Sequence, residues 1–368
     1  PLYSSAASDV YKRQLGGNMR YKACIKAGLK EVPIIKAENL TKEQKLEFII
    51  KDNVGFGTWD WELLEEDWDA DLLEEWGLDL EFDTDKKPDA LTDEDDIPDL
   101  EDDHRSLLGD VWLLGEHRLM CGDSTKSVDV TELMNDEKAD MVFTDPPWNV
   151  NYGAVSHPTY KSRTILNDFM GTEDFKEFMD STFLQMNAHS KRGCPTYVVM
   201  SAQEWGNMML TLTANEYHWS STIIWNKSSQ VLSRKDYHTK YEPIWYGWLD
   251  GEARLCPVED RKQTDVWDFD KPSRSELHPT TKPVELIEKA INNSSKKHNF
   301  VLDLFGGSGS TMIACEKNSR KNMTMELDPK YVDVIIKRWQ DYTGKEATLE
   351  ATGEIFNLTK LNENETIK

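Results

Sequence analysis

The sequence predicts an α/β protein built on a doubly wound β-sheet, and three observations support this. From about residue 104 onward, short apolar runs alternate with segments of helical periodicity. One apolar run, at Phe300–Leu304, turns through several glycines into a helix. Another, at Met141–Thr144, ends directly in Asp-Pro-Pro-Trp. Strands interleaved with helices predict a mostly parallel sheet covered by helices on both faces.

The net charge of the chain is unevenly distributed. The 368 residues carry a formal charge of -24, which would argue against a nucleic-acid partner if it were spread evenly. However, residues 60–103 contain 22 acidic side chains and only two lysines, so this stretch carries -20 of that charge. Such runs are typical of solvated linkers. The near-neutral remainder therefore leaves a DNA partner open.

Composition excludes several classes of protein. No apolar run approaches the roughly 18 residues that a membrane span requires, so we expect no membrane partner. The five cysteines are scattered and show no C-x-x-C spacing, which argues against a disulfide framework and a zinc site. We therefore expect no metal and a reducing, cytoplasmic location.

The N-terminal region predicts a small α+β fragment over residues 15–62. A short helix is expected at Asn18–Ala27 with Gly28 as its stop, followed by a strand at Val32–Ala37. Thr41 then caps a second helix that runs to about residue 52, with Gln44 in the capping-box position. Residues 1–14 lack periodicity and are interpreted as a sequence scar or a disordered segment.

This fragment resembles the second half of a ParB/sulfiredoxin-like nuclease domain. The resemblance rests on Gly17–Ala23, Val32–Ile35 and Asp52-Asn53. The phosphate-binding box of that family reads Glu-Arg-Arg where this chain has Asn18-Met19-Arg20. Because of this departure, we expect an accessory or docking fragment here in place of a nuclease.

The remaining boundaries follow from composition and periodicity. Residues 63–103 are expected to form an acidic linker with two short helices, residues 104–356 the main domain, and residues 357–368 a tail. The expected strands of the main domain are Met141–Thr144, Tyr197–Met200, Ser221–Trp225, Phe300–Leu304 and Asn322–Glu326, and its expected helices are Val284–Ile291 and Thr311–Lys317.

The glycine-rich turn indicates a nucleotide-like cofactor. The segment Val301–Thr311 is a buried strand that enters a helix through Gly306, Gly307 and Gly309, and glycines there let a ligand approach the backbone. Glu326 ends the next predicted strand, where an acidic residue typically binds ribose hydroxyls. On this pattern alone, NAD and S-adenosylmethionine are equally good cofactors.

The Asp145-Pro146-Pro147-Trp148 tetrad favours one of them. Two successive prolines stop the strand and form a rigid cradle of carbonyl acceptors. Asp145 and the Pro146 carbonyl are placed to hold the two N–H groups of an exocyclic amine, so that its lone pair points at a methyl sulfonium. Trp148 offers an aromatic face to a base swung out of a duplex.

Together, the tetrad and the glycine loop resemble the amino-methyltransferases of DNA. Because the tetrad precedes the glycine loop, the resemblance is to their beta group, and it spans about His104–Phe356. It implies a circularly permuted, Rossmann-like methyltransferase sheet, S-adenosylmethionine as cofactor, and DNA as substrate. A tetrad that begins with Asp implies methylation of adenine N6, whereas N4-cytosine members more often begin with Ser.

Further segments match the same family. His278–Pro283 resembles its His-Pro-Thr-x-Lys-Pro segment, and Gly109–Ser124 resembles the domain entry of ParB-fused members. Tyr331–Gly344, which contains Arg338-Trp339, resembles the closing helix of the family. The resemblance implies catalytic roles for Asp145, Pro146, Pro147 and Trp148. It implies cofactor contacts for Asp123, Asp145, Lys282, Asp303, Phe305, Gly307, Ser308, Gly309 and Glu326.

Target recognition is expected between the two motif blocks, at residues 153–276. The basic residues there that we expect to contact DNA are Lys161, Arg163, Lys227, Arg234 and Lys235. A homodimer and a restriction-modification or phage partner are left open. The alternatives are an N4-cytosine methyltransferase, a ParB-like DNA-binding module with an inactive methylase, and an NAD-dependent dehydrogenase, which does not account for the tetrad.

Overall fold

The computed structural model describes residues 23–31, 40–51, 90–100, 103–150, 169–231, 236–270 and 281–357. The chain divides into two compact units, residues 1–88 and residues 89–368. Within the described residues, no helix has both the length and the apolar character needed to cross a membrane.

The first unit contains the predicted capping box. Residues 23–26 are helical and Gly28 follows with φ +74°, as expected for a helix stop. Helix α1 spans Lys42–Lys51. The Gln44 amide N–H donates to Thr41 Oγ1 at 3.2 Å, and the Thr41 amide donates to Gln44 Oε1 at 3.1 Å, so the box is confirmed; such a cap is worth about 1 kcal/mol. The strand expected at Val32–Ala37 lies outside the described residues, and the ParB-like resemblance stays a prediction.

Among the described residues, the second unit is built on one mixed sheet of ten strands in the order β10-β1-β2-β9-β8-β3-β4-β6-β5-β7. Its centre, β2-β9-β8-β3-β4, is parallel throughout. The strands are β1 (Val111–Leu114), β2 (His117–Cys121), β3 (Met141–Thr144), β4 (Pro195–Val199), β5 (Tyr217–Val231), β6 (Thr239–Leu249), β7 (Val266–Asp268), β8 (Phe300–Asp303), β9 (Lys321–Glu326) and β10 (Thr348–Leu349).

Helices cover both faces of this sheet. Successive residues of β3 alternate between the two sides: Met141 and Phe143 join one buried cluster and Val142 the other. The first cluster also contains residues of α5, α6 and α7, and the second contains residues of α2, α3 and α4. The helices are α2 (Ser127–Met134), α3 (Thr172–Ala188), α4 (Trp205–Ala214), α5 (Val284–Ser294), α6 (Ser310–Lys317) and α7 (Pro329–Thr343). The predicted doubly wound α/β class is confirmed.

Beyond β4, strands β6 and β5 pair antiparallel, whereas the edge strand β7 pairs parallel with β5. Strand β6 pairs antiparallel with β4 and with the long strand β5. Because of this reversal, the end of β6 that begins near Tyr241 lies at the same edge as the carboxyl end of β4, where the Met200 amide donates to the Pro243 carbonyl at 3.3 Å. The β5–β6 hairpin therefore adds side chains to the edge at which the parallel strands end.

The end of the acidic stretch belongs to the second compact unit, which takes in the chain from Asp89 onward. The Leu91 amide donates to the Tyr342 carbonyl at 3.0 Å. The carbonyl of Glu94 accepts a 2.7 Å hydrogen bond from Arg338, and its carboxylate pairs with Lys317. These cations offset part of the local negative charge. Composition alone predicts instead that the acidic side chains of this stretch are solvated.

Candidate active site

The carboxyl ends of four neighbouring parallel strands bring the sequence motifs together. Asp123 follows β2, Glu326 ends β9, Phe305 follows β8, and Asp145 follows β3. Adjacent segments are joined by backbone bonds, such as the Gly122 amide to the Glu326 carbonyl at 3.0 Å. Ligands of open α/β sheets bind in the crevice outside the carboxyl ends of the strands, so this edge is the candidate site.

The glycine loop is tied to Glu326. Its carboxylate accepts hydrogen bonds from the Gly307 amide at 2.8 Å and from the Asp328 amide at 2.9 Å. Burial raises the pKa of Glu326 to about 7. Gly307 has φ +52°, and no described heavy atom lies within 4 Å of the position that a side chain would take there. By contrast, a Cβ on Gly306 would lie 2.6 Å from Thr324 Cγ2. A glycine is therefore required at position 306 because the loop packs closely against β9.

Asp303 joins the glycine loop to the tetrad strand. Its Oδ1 accepts from the Thr144 hydroxyl at 2.8 Å and the Phe305 amide at 3.1 Å, while its Oδ2 accepts from the Thr311 hydroxyl at 2.7 Å. The side chain is buried, and burial raises its pKa to about 7. Both oxygens are thus engaged by the protein, so this geometry favours a structural role in aligning β3 with β8.

The buried Asp303 carboxyl predicts a pH-dependent stability. An unfolded aspartate has a pKa of about 3.9, so the folded state holds an extra proton between about pH 4 and pH 7. Its contribution to the free energy of unfolding is fully present below about pH 4 and is lost as the pH rises through about 7, by up to roughly 4 kcal/mol. Asp303→Asn keeps the size of the side chain and one acceptor oxygen but cannot ionise. Urea unfolding from pH 5 to 9 should give a flatter stability curve for this variant, and parallel curves would contradict the assignment.

Asp145 lies between an indole and an ammonium. Trp148 Nε1 donates to its Oδ1 at 3.0 Å, and Lys282 Nζ donates to its Oδ2 at 2.5 Å. Lys282 also lies over the Trp148 ring, 5.0 Å from its centroid. Burial raises the pKa of Asp145, while the Lys282 charge opposes that shift and favours the carboxylate. The arrangement holds an acceptor in one orientation beside an aromatic ring.

Three other predicted cofactor residues lie around the same edge. Burial alone would raise the pKa of Asp123, but hydrogen bonds from Thr125, at 2.7 Å from the hydroxyl and 3.0 Å from the amide, lower it overall. The Ser308 carbonyl accepts from the buried Arg338 at 2.8 Å. Phe305 packs with its ring 5.9 Å from that of Phe178.

The expected DNA contacts fare differently. The structure does not support a surface DNA contact at Lys227, because its side chain is buried, pairs with Glu242 and lies 4.9 Å from the Trp225 ring centroid. A lysine whose charge is already paired inside the protein is not available to a phosphate. The other expected contacts lie outside the described residues, as does His278: they are Lys161, Arg163, Arg234 and Lys235.

Two residues at this edge were not assigned a role from sequence. Glu242, at the start of the aromatic strand β6, pairs with Lys227 and lies 3.4 Å from Lys282. A charged residue directly before the apolar run Pro-Ile-Trp-Tyr is a signal that sequence reading could have used. Arg338 of α7 donates both to the Ser308 carbonyl in the glycine loop and to the Glu94 carbonyl, so it bridges the two segments.

Comparison with known proteins agrees with this site. A family model described as DNA methylase, of the N6/N4 type, matches residues 139–338. The chain is 30% identical over 144 residues to the type II methyltransferase M.Cfr9I of Citrobacter freundii, covering 36% of the chain and 48% of that protein. It is 24% identical over 261 residues to the DNA adenine methyltransferase YhdJ of Escherichia coli (strain K12), covering 61% and 85%.

Among solved structures, the cytosine-N4-specific PvuII DNA methyltransferase has a TM-score of 0.47 at 17% identity, covering 60% of this chain and 86% of that one. The chain thus spans about half the length of M.Cfr9I and most of the length of YhdJ. The matched family model includes both the tetrad and the glycine loop and covers more than half of the chain. The protein therefore belongs to the N6/N4 DNA methylase family, which is a family of S-adenosylmethionine-dependent methyltransferases.

Proposed function

We propose that this protein methylates the N6 amine of adenine in DNA, with the target amine held by the Asp145-Pro146-Pro147-Trp148 tetrad. One observation carries the proposal: the Asp145 carboxylate is fixed by Trp148 and Lys282 at the sheet edge that also presents the glycine loop. The match to a DNA adenine methyltransferase supports adenine as the base. An aspartate as the first residue of the tetrad supports it further.

The residues at the edge fit S-adenosylmethionine. The space beside Gly307 lets a ligand approach the loop backbone, and Glu326 has lone pairs left for two ribose hydroxyls after accepting two amides. Asp123 follows β2, the strand that pairs with β9 at Glu326, and it would hold the adenine end of the cofactor. When bound, the cofactor supplies an electrophilic methyl group on a positively charged sulfur.

The tetrad then acts by positioning and electrostatics. Asp145 accepts one N–H of the amine and the Pro146 carbonyl accepts the other, so the nitrogen lone pair points at the methyl carbon. As the N–C bond forms and the C–S bond breaks, positive charge develops on the nitrogen, and the Asp145 carboxylate stabilises it. The methylated amine would then pass one proton to water, and the demethylated cofactor would leave as a neutral thioether. Lys282 occupies one side of the Trp148 ring, so the flipped base stacks on the other.

The permuted order of the domain is part of this proposal. Strand β3, which carries the tetrad, precedes β8 in the chain although the two are neighbours in the sheet. DNA binding by this particular chain stays a prediction. So do a homodimer and a restriction-modification or phage partner.

Nucleoside analysis of the product tests the base directly. Purified protein is incubated with duplex DNA and S-adenosylmethionine that carries a labelled methyl group, and the DNA is digested to nucleosides. We expect the label in N6-methyl-2′-deoxyadenosine. Label in the N4-methylcytosine nucleoside would overturn the adenine assignment. The substrates are a panel of duplexes that together contain all short sequence contexts. If no duplex of this panel were methylated, the proposed activity would be overturned.

A further inference from the structure

Four charged side chains form a continuous line from the β5–β6 hairpin to the tetrad. Lys227 donates to Glu242 Oε1, and Glu242 Oε2 lies 3.4 Å from Lys282 Nζ. Lys282 Nζ in turn lies 2.5 Å from Asp145 Oδ2. The charges alternate in sign along this line.

Three of these four side chains are buried, so an unbalanced charge among them would be costly in free energy. Lys227 and Glu242 are each 8% exposed and Lys282 is 5% exposed. Charges removed from water are costly unless they are paired. Glu242 Oε2 accepts no hydrogen bond within the described residues, so its negative charge is balanced through the ion pair with Lys282. These four charges sum to zero.

We propose that Glu242 is a positioning residue for methyl transfer, which holds Lys282 against Asp145 and keeps this buried cluster electrically neutral. Lys227 anchors Glu242 in turn. The inference rests on the proposed function, because it concerns the charge that Asp145 offers to the target amine. It also explains why a glutamate and a lysine are buried in a hairpin whose neighbours are mostly aromatic and aliphatic.

The reaction makes the charge balance consequential. Methyl transfer places positive charge on the amine nitrogen beside Asp145. If Glu242 lost its charge, the cluster would carry a net charge of +1 and would repel that nitrogen in the transition state. Two lysines would also compete for one carboxylate. At the short distances and reduced dielectric of such a site, one uncompensated charge corresponds to a rate effect of about tenfold or more.

The test compares Glu242→Gln with the double variant Lys227→Gln/Glu242→Gln. The single variant leaves a net positive cluster, and we expect its kcat to fall about tenfold or more while its KM for S-adenosylmethionine changes far less. The double variant restores neutrality, because Lys282 and Asp145 then pair alone. We expect it to recover most of the lost kcat. A purely structural role predicts instead that the double variant is at least as impaired as the single one.

Glu216→Gln is the matched control, since it removes the charge of an exposed glutamate paired with Arg192 at 2.7 Å. This variant should match the wild type. Thermal unfolding of each variant separates misfolding from lost activity; if the single variant does not fold, recovery of folding and activity in the double variant still supports charge balance. Wild-type kcat in Glu242→Gln, or no recovery in the double variant, would overturn this inference. Absence of methyl transfer by the wild type would instead overturn the proposed function.

Discussion

Asp145→Asn is expected to lower kcat for methyl transfer by about a thousandfold. An asparagine keeps the size of the side chain and one acceptor oxygen. However, it lacks the negative charge that stabilises the developing positive charge on the amine, and its own NH₂ group cannot accept an N–H. It also leaves the Lys282 ammonium without the carboxylate that lies 2.5 Å away in the wild type. Single-turnover methyl transfer to DNA measures the effect on the chemical step.

The control for this variant is Asp341→Asn, which removes an exposed carboxylate that pairs with Lys337 on α7. Its single-turnover rate should equal that of the wild type, because surface ion pairs of this kind contribute little. Binding of S-adenosylmethionine by Asp145→Asn, measured by calorimetry, should be affected much less than the rate. A wild-type rate in Asp145→Asn would remove the tetrad from the mechanism.

Glu326→Ala is expected to weaken binding of S-adenosylmethionine by about 10- to 100-fold, the range for losing hydrogen bonds to a charged group. The alanine removes the proposed acceptor for the ribose hydroxyls and also releases the Gly307 amide. Calorimetric titration of the cofactor measures this change. Glu173→Ala, which removes an exposed glutamate of α3, serves as the control. Unchanged affinity in Glu326→Ala would exclude it from the cofactor site.

The same residue predicts how cofactor binding depends on pH. Burial raises the pKa of Glu326 to about 7. A protonated carboxyl loses the negative charge that attracts hydroxyl donors, so the wild-type affinity should fall as the pH is lowered through about 7 and level off above it. Glu326→Gln cannot titrate and should show a flatter dependence over this range. Parallel pH curves for the two proteins would contradict the assignment.

Local pattern accounts for much of the fold. Strand β3 spans Met141–Thr144, as predicted, because an apolar run that ends at two prolines specifies both its conformation and its end. The capping box at Thr41 is likewise a matter of residues three apart. Glycines with positive φ, such as Gly309 at +84°, mark the turn into α6 for the same local reason. The class of fold and the two motifs could therefore be predicted.

What sequence reading missed depends on contacts between distant residues. Thr144 and Asp303 are separated by 159 positions, and Asp145 and Lys282 by 137, yet each pair is hydrogen-bonded. No periodicity specifies which strands become neighbours, so sequence reading could not place Asp303 at the joint between β3 and β8, and its cofactor contact stays a prediction. Similarly, the antiparallel turn of β5 and β6 buries Lys227 beside Glu242, although a basic loop predicts a surface contact.

The sequence by itself determined the α/β class, the strand ends that carry Asp145 and Glu326, and the resemblance to amino-methyltransferases, because these depend on short-range pattern. Only the tertiary structure decided that Leu91 and Glu94 pack against α7, that Lys227 is internal, and that Glu242 and Lys282 connect the hairpin to the tetrad. The physical reason is that burial and charge pairing are properties of the assembled sheet edge. From sequence alone, a charged side chain is predicted to lie on the surface. Only the folded structure shows that a partner distant in the chain lies beside it and allows it to be buried.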